Sequence, residues 1–331
     1  MAVLVCGGAG YIGSHMVAAL VEKGYDTVVA DNLDCGHRKA VRSEAAFYEA
    51  DIGDTAAMDR IFSAHNIDAV VNFAAYMRVE ESVQDPAKYF RNNVTGTLTL
   101  LDTMIKYGVK KLVFSSSASV YGIPERIPIT EDMPKAPISP YAETKLAAEQ
   151  IFKWYDRAYG LKYVALRYFN VAGAHESGRI GEDHDPETHM IPVCLHAALG
   201  KIPLLKLMGD DYPTPDGTCI RDYVHVMDLA DAHILALEKL NREPTSEAYN
   251  LGSQSGFSNK EIIAMTKKIT GVDFPVEIRG RRPGDPPTLV ASSQKIRTEL
   301  GWDPKRTTIE TIISTAWAWH SAHPNGYGGT V

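Results

Sequence analysis

Tyr141 and Lys145 stand four positions apart in Tyr-Ala-Glu-Thr-Lys. On a helix that spacing places both side chains on one face. An ammonium beside a phenol favours the phenolate and lowers a pKa that starts near about 10. Such a phenol can exchange a proton with a substrate hydroxyl near neutral pH. Spacing alone decides little. With 16 tyrosines in the chain, a Tyr-x-x-x-Lys pair arises by chance about once. A second pair, Tyr107–Lys111, is indeed present; it straddles Gly108 at a helix end and reads as structural. Tyr141–Lys145 differs because Ser115, Ser116 and Ser117 close the preceding strand, where a doubly wound sheet gathers its ligand. Ser117 completes a Ser/Tyr/Lys set, whereas backbone capping is the plainer role for Ser115 and Ser116.

The opening Met-Ala-Val-Leu-Val-Cys runs into Gly7, Gly8, Gly10 and Gly13. These glycines satisfy G-x-G-x-x-G from Gly8 and G-x-x-G-x-x-G from Gly7, and spacing does not choose between them. Without side chains the backbone turns tightly and lets a pyrophosphate approach a helix N-terminus, whose free N–H groups face the anion. A strand precedes the turn, a helix follows it, and Asp31 closes the next strand, placed for ribose hydroxyls. The carboxylate favours NAD over NADP, since it accepts a 2′-hydroxyl and repels a 2′-phosphate; Arg38 and Lys39 follow closely enough to weaken that preference. A bound nicotinamide cation would act on Tyr141 in the same sense as Lys145.

Apolar runs at Val3–Cys6, Thr27–Ala30, Ala69–Phe73, Lys111–Ser115 and Tyr163–Arg167 lack period-two alternation, as strands covered on both faces do. Helical patterns lie between them near Tyr11–Lys23, Thr55–His65, Pro86–Tyr107 and Pro140–Tyr159. The alternation predicts an α/β fold, a Rossmann-type doubly wound parallel sheet with right-handed crossovers. Residues 1–170 form the expected dinucleotide-binding domain. Residues 171–331 form a smaller, loop-rich substrate domain, with some elements packing back on the sheet. Polar loops are expected at 174–220 and 280–292. Between and beyond them come a helix over Met227–Leu240, a strand at Tyr249–Leu251, helices after caps Ser258 and Ser292, and a last helix over Thr308–His320.

Composition narrows the function. The 331 residues are 45% hydrophobic and 23% charged, which excludes wholesale disorder. A formal net charge of −7 argues against a nucleic-acid or anionic-membrane coat. Four scattered cysteines with no C-x-x-C pair point to a reduced, cytoplasmic setting. No apolar run approaches a membrane span, and no export signal opens the chain.

The ordered set GGAGYIGSH, DNL at 31–33, DI at 51–52, FA at 73–74, NNVTGTL, FSSSASVYG, SPYAETK, RYFNVAG, GDDYPTPDGTCIRDYVHVMDLADAH, YNLG and RRPGD spans nearly the whole chain. It resembles the extended short-chain dehydrogenase/reductase family and, within it, the UDP-hexose 4-epimerases. The resemblance implies tightly bound NAD, a homodimer, and net redox-neutral interconversion of UDP-galactose and UDP-glucose through a 4-keto sugar. It assigns cofactor contacts to Gly7, Gly10, Tyr11, Ile12, Gly13, Asp31, Asn32, Asp51, Ile52, Phe73, Ala74, Asn92, Tyr141, Lys145 and Phe169. Tyr141 becomes the catalytic base, Ser117 its hydroxyl partner, and Lys145 the residue that holds the cofactor ribose. Substrate contacts fall on Ser117, Tyr141, Asn170, His189, Met190, Met208, Arg221, Arg282 and Asp285. Two arginines suit a diphosphate because the guanidinium fork matches phosphate oxygens.

Three positions depart from the family pattern. Met77, with Arg78 beside it, replaces a common lysine; Met208 replaces an aromatic near the uracil; Leu289 is neither the large nor the small residue that sorts plain from N-acetylated sugars. UDP-N-acetylhexosamine, UDP-glucuronate and UDP-pentose therefore stay open as substrates. A 4,6-dehydratase is disfavoured because Ser117–Tyr121 offers no carboxylate, and a non-catalytic NAD sensor would not need the Tyr/Lys pair. His175, His184, His189, His196, His225 and His233 lack a helix-face zinc motif and read as loop or packing residues, so no metal is expected. Trp317 and Trp319 read as core or interface residues, and the helices near 86–107 and 140–159 suit a dimer bundle.

Overall fold

The structure, a computed structural model, describes residues 1–282 and 285–328. Pro283 and Gly284 of the RRPGD motif, and residues 329–331 at the end of the expected second domain, lie outside the described residues. Seven strands form one parallel sheet: β1 (Ala2–Cys6), β2 (Asp26–Asp31), β3 (Ala46–Glu49), β4 (Ile67–Asn72), β5 (Lys111–Ser115), β6 (Lys162–Tyr168) and β7 (Glu247–Leu251). Their order is β7-β6-β5-β4-β1-β2-β3, so the winding reverses between β1 and β4. Each neighbouring pair is parallel. Every residue of β1 is buried, which explains its unbroken apolar sequence.

Helices cover both faces. On one, α1 (Tyr11–Glu22) packs beside α6 (Val226–Arg242), with α8 (Gln294–Leu300) adding Ile296 to the core. On the other lie α2 (Thr55–Ala64), α3 (Thr97–Lys106) and α4 (Pro140–Tyr159), around Leu4, Val70, Leu112 and Phe152. Local signals set their ends. Asp54 accepts from the amides of Ala56 and Ala57 to start α2. Ser139 caps α4, Pro140 occupies its first turn, and Gly160 ends it at φ 70°.

The remaining elements form a smaller layer with its own apolar cluster, built from α5 (Met190–Ala198), α7 (Asn259–Thr270) and α9 (Ile309–Ala322). Strand Leu205–Met208 pairs with Val276–Arg279, and Ile220–Arg221 lies between Phe257–Ser258 and Thr288–Leu289. Trp319 is buried against Gly181, where an added Cβ would come within 2.3 Å of the indole. No helix among the described residues is long and apolar enough to cross a membrane.

Several expectations need correction. The segment 174–220, read as loop, contains α5 and the strand Leu205–Met208; their apolar residues sit between polar turns that dominate the composition. β3 was not anticipated, since its residues are only half-buried at the sheet edge. The strand expected at 249–251 extends to Glu247 and pairs with β6 in the main sheet. The helix expected over 86–107 is interrupted by a π-helical stretch, Phe90–Gly96. Ser293, not Ser292, flanks α8, although Ser292 Oγ still receives the Gln294 amide at 3.4 Å. Thr308 caps the last helix rather than beginning it.

Candidate active site at the carboxyl ends of the strands

β1 ends at Cys6 and the chain turns at Gly7, whose φ of 75° and close neighbour both require glycine: a Cβ there would lie 2.7 Å from the Ala74 amide. A Cβ at Gly13 would lie 2.0 Å from the Gly7 carbonyl, so this glycine lets α1 sit directly against the turn. Gly10 is different. A Cβ on it would meet nothing of the chain nearer than the Gly7 carbonyl at 3.5 Å. Packing does not demand glycine there, whereas close approach by an external anion does. Gly10 caps α1 with no side-chain hydrogen bond and no acid in the first turn, leaving the helix amides open. These residues fit a dinucleotide pyrophosphate.

Asp31 ends β2, buried, its carboxylate fixed by the Ala9 and Leu33 amides at 2.8 and 2.9 Å. Burial raises its pKa, against the pull of those amides. Arg38 turns over the Phe47 ring and Lys39 reaches the Tyr327 carbonyl at 3.0 Å. Asn32 donates to Asp51 at 2.8 Å, just past β3, with Ile52 buried beside it. Phe73 and Ala74 follow β4; the Phe73 amide bonds the Cys6 carbonyl and the Ala74 amide bonds Asn72. Tyr11 OH donates to the Gly173 carbonyl at 2.6 Å, and the neighbouring Ile12 packs against the α1-side core. Asn92 lies in the π-helical stretch and donates to Asn93 at 2.9 Å. Phe169 follows β6 and shares an apolar cluster with Ala118, Val120 and Leu289.

Tyr141 occupies the first turn of α4, where the helix dipole favours a phenolate. One turn on, Lys145 is 3% exposed and its Nζ donates to the Ser115 carbonyl at 2.8 Å, at the carboxyl end of β5. The Nζ stands 5.9 Å from the Tyr141 ring centre. The expected mutual shift does not operate in this environment. Burial pushes Lys145 down to about 7 and raises Tyr141, while the neighbouring Ser117 hydroxyl opposes the rise of the phenol. Desolvation penalises both charges more than they help each other. A cation entering the crevice is what would restore the phenolate.

The three serines divide by partner. Ser115 Oγ bonds Tyr168 OH at 2.5 Å and Ser116 Oγ donates to Glu149 at 2.6 Å, so neither side chain caps backbone. Ser117 does: its Oγ accepts from the Ser119 amide at 3.2 Å and from Ser119 Oγ at 2.8 Å.

On the opposite side, Arg221 forms an ion pair with Asp285, and Asn170 donates to the Asp222 carbonyl at 3.0 Å. Arg282 is not drawn to them; half-exposed, it faces Glu80 at 3.9 Å. Met208 is in register with Arg279, and Leu289 with Arg221. Beside Met77, Arg78 donates to the Asp185 carbonyl at 2.7 Å. His189 turns its Nδ1 to Glu182 at 2.7 Å, and Met190 opens α5.

Residues 3–252 match the family model described as the NAD dependent epimerase/dehydratase family. The chain belongs to this family. The UDP-glucose 4-epimerase of Lacticaseibacillus casei is 55% identical over 328 residues, 99% of this chain and 99% of its own. A crystal structure of a UDP-glucose 4-epimerase matches with TM-score 0.98 at 49% identity, covering 99% of this chain and 100% of that one. The UDP-glucose 4-epimerase from Brucella ovis, solved in complex with NAD, matches with TM-score 0.93 at 49% identity, covering 96% and 97% of the two chains. The family match ends one residue beyond β7. The family model therefore covers the sheet with its crevice, while Arg282, Asp285 and Leu289 lie beyond it and fall within the full-length matches.

Two groups behind the family's crevice escaped sequence reading. Asn93 donates to the Tyr76 carbonyl and to Thr144, both at 3.0 Å, tying the π-helical stretch to α4. Glu149 forms a buried ion pair with Arg167, which donates to Tyr121 at 2.7 Å, and Tyr121 donates to Asn250 at 2.8 Å. The signal for Glu149 was available: it continues the Tyr141/Lys145 face by one more turn. The Asn250 end was not, because it arrives from β7.

Proposed function

We propose that the chain interconverts UDP-galactose and UDP-glucose by reversible epimerisation at C4. The reading rests on one observation: the Tyr141 phenol sits against Ser117 at the carboxyl end of β5, with Lys145 buried beneath and a dinucleotide turn at the neighbouring switch point. NAD, when bound, accepts hydride from the sugar and returns it, so the net reaction is redox-neutral. Tyr141 removes the proton from O4 as the 4-keto sugar forms and returns it when the hydroxyl is rebuilt. Ser117 holds that oxygen by a hydrogen bond. Lys145, bound to the end of β5, fixes the cofactor ribose and the height of the phenol. Arg221, Asn170, Arg282 and Asp285 retain the nucleotide while the sugar presents either face. Incubation with UDP-galactose yields UDP-glucose, separated by chromatography; absence of conversion by NAD-loaded protein overturns the reading.

The finer features of this proposal are a homodimer and a cytoplasmic setting. Phe90, Tyr107, Trp154 and Tyr159 are exposed on the helices near 86–107 and 140–159, which Tyr155 joins through Asp102. A second copy would cover that apolar surface. All four cysteines are unpaired, which suits a reducing compartment. Light scattering at micromolar concentration tests the dimer; a monomer mass refutes it.

A further inference from the structure

Glu182, His184, Glu187 and His189 converge in the loop before α5, each offering a ligand atom within 4.8 Å of the others. The histidines lack a zinc motif of their own because half of this set is glutamate, in the spacing Glu-x-His-x-x-Glu-x-His. Four measured edges fall between 2.7 and 3.6 Å. His189 Nδ1 lies 2.7 Å from Glu182 Oε1 and 3.4 Å from Glu187 Oε1; His184 Nδ1 lies 3.2 Å from Glu182 Oε1 and 3.6 Å from Glu187 Oε2. Donors about 2.0–2.1 Å from a tetrahedral ion stand about 3.3 Å apart, so these edges bracket the required size.

Hydrogen bonding is incomplete in the same place. Glu187, its side chain 4% exposed, receives the Thr188 and His189 amides on Oε1 at 2.7 and 2.8 Å. Its buried Oε2 has no hydrogen-bond partner, and neither does His184 Nδ1. Both atoms point into the cluster. The amides hold Glu187 as an outer shell holds a metal ligand. Glu182 is held from behind, because Gly181 is wedged against Trp319 and its amide bonds Tyr327 OH at 3.0 Å.

We propose that these four side chains bind a divalent transition ion of the zinc class. Two imidazoles disfavour calcium and magnesium, and a full set of four protein donors makes the site structural rather than catalytic. The ion would be held by two imidazoles and two carboxylates, any proton on an imidazole nitrogen leaves to solvent as that nitrogen ligates, and no electrons move. The ion would fasten the 182–189 loop beside Tyr11, whose ring stands 6.2 Å from that of His184.

The test uses the full chain stripped with a chelator and dialysed against Zn²⁺. Elemental analysis is expected to find about one ion per chain. Co²⁺ is expected to give the visible absorption of a tetrahedral N/O site. Glu187→Gln and His184→Asn should each weaken binding at least ~10-fold. Failure of the unmodified chain to hold stoichiometric zinc overturns the proposal and leaves a double ion pair. Unchanged zinc affinity in both variants also overturns it, by placing the ion elsewhere. Should a variant not fold, the Co²⁺ spectrum and zinc stoichiometry of the unmodified chain decide.

Discussion

Tyr141/Lys145 and Tyr107/Lys111 share one spacing and belong to opposite ends of the same strand. Lys111 begins β5, whereas Lys145 binds the carbonyl of Ser115, which ends it. Four residues of strand separate the two ends by roughly 13 Å. At the amino end, Lys111 reaches outward to Asn241 at 2.6 Å and Tyr107 OH reaches the Asp59 carbonyl at 3.3 Å, both exposed. At the carboxyl end, Lys145 is sealed beneath the crevice and Tyr141 faces a serine. The residue pattern is the same in both places; desolvation and the neighbouring strand end make one of them chemistry.

The sharpest way to break this contrast is Tyr141→Phe. Removing the one group that exchanges the O4 proton is expected to lower kcat by about 10²–10⁴-fold with little change in KM. Near-normal turnover in purified, NAD-loaded variant would show that the two pairs do not differ in kind.

Lys145→Met tests the same pair through two readouts. Loss of the group that positions cofactor and phenol should cost about 10²-fold in kcat. Stability should respond differently. The native pKa of Lys145 is pushed by burial from 10.5 to about 7. Between those values the unfolded chain binds the proton more readily, so this residue makes stability rise with pH across the window. Its unfavourable contribution is complete below pH 7. The slope is at most about 1.4 kcal/mol per pH unit. Thermal unfolding of ligand-free protein from pH 7 to 9 should therefore show a flatter profile for the methionine variant, with a Tm at pH 7 no lower than that of the parent. A lower Tm and unchanged slope would mean that the lysine is a structural cation.

The nucleotide side supplies a smaller effect of another type. Arg221 is paired with Asp285 and carries a fork that lysine lacks. Arg221→Lys should raise KM for UDP-galactose about 10-fold and leave kcat within a factor of two or so, because the contact is the same in ground and transition states. An equal fall in kcat would move Arg221 into the reacting set.

What could be read beforehand follows the range of the forces involved. Apart from β3, the strands of the first half were legible because each is a local apolar run, and the crevice followed from the glycine turn after β1 and from Asp31 at the end of β2. Which element of the second domain packs back on the sheet was not legible, because the pairing of β7 with β6 spans about eighty residues of chain, which no local pattern encodes. The burial of Tyr141 and Lys145 was not legible for a related reason: spacing reveals a neighbour, while burial is decided by what packs above it. Arg221 and Asp285 were identified singly, but their pairing depends on a parallel contact between Ile220–Arg221 and Thr288–Leu289. The Glu/His cluster was missed by counting one ligand type.

The smallest expected effect lies at the other end of β5. Tyr107→Phe removes a hydroxyl that meets one backbone carbonyl at 3.3 Å on the surface, and Lys111→Met removes a solvated amine bonded to Asn241. Neither leaves a buried group unpaired, and neither touches the crevice. Each should change stability by less than about 0.5 kcal/mol and leave kcat and KM for UDP-galactose unaltered. A tenfold loss of kcat in Tyr107→Phe, with Tm preserved, would connect the amino end of β5 to the reaction. Position along the strand would then no longer explain why one pair works and the other does not.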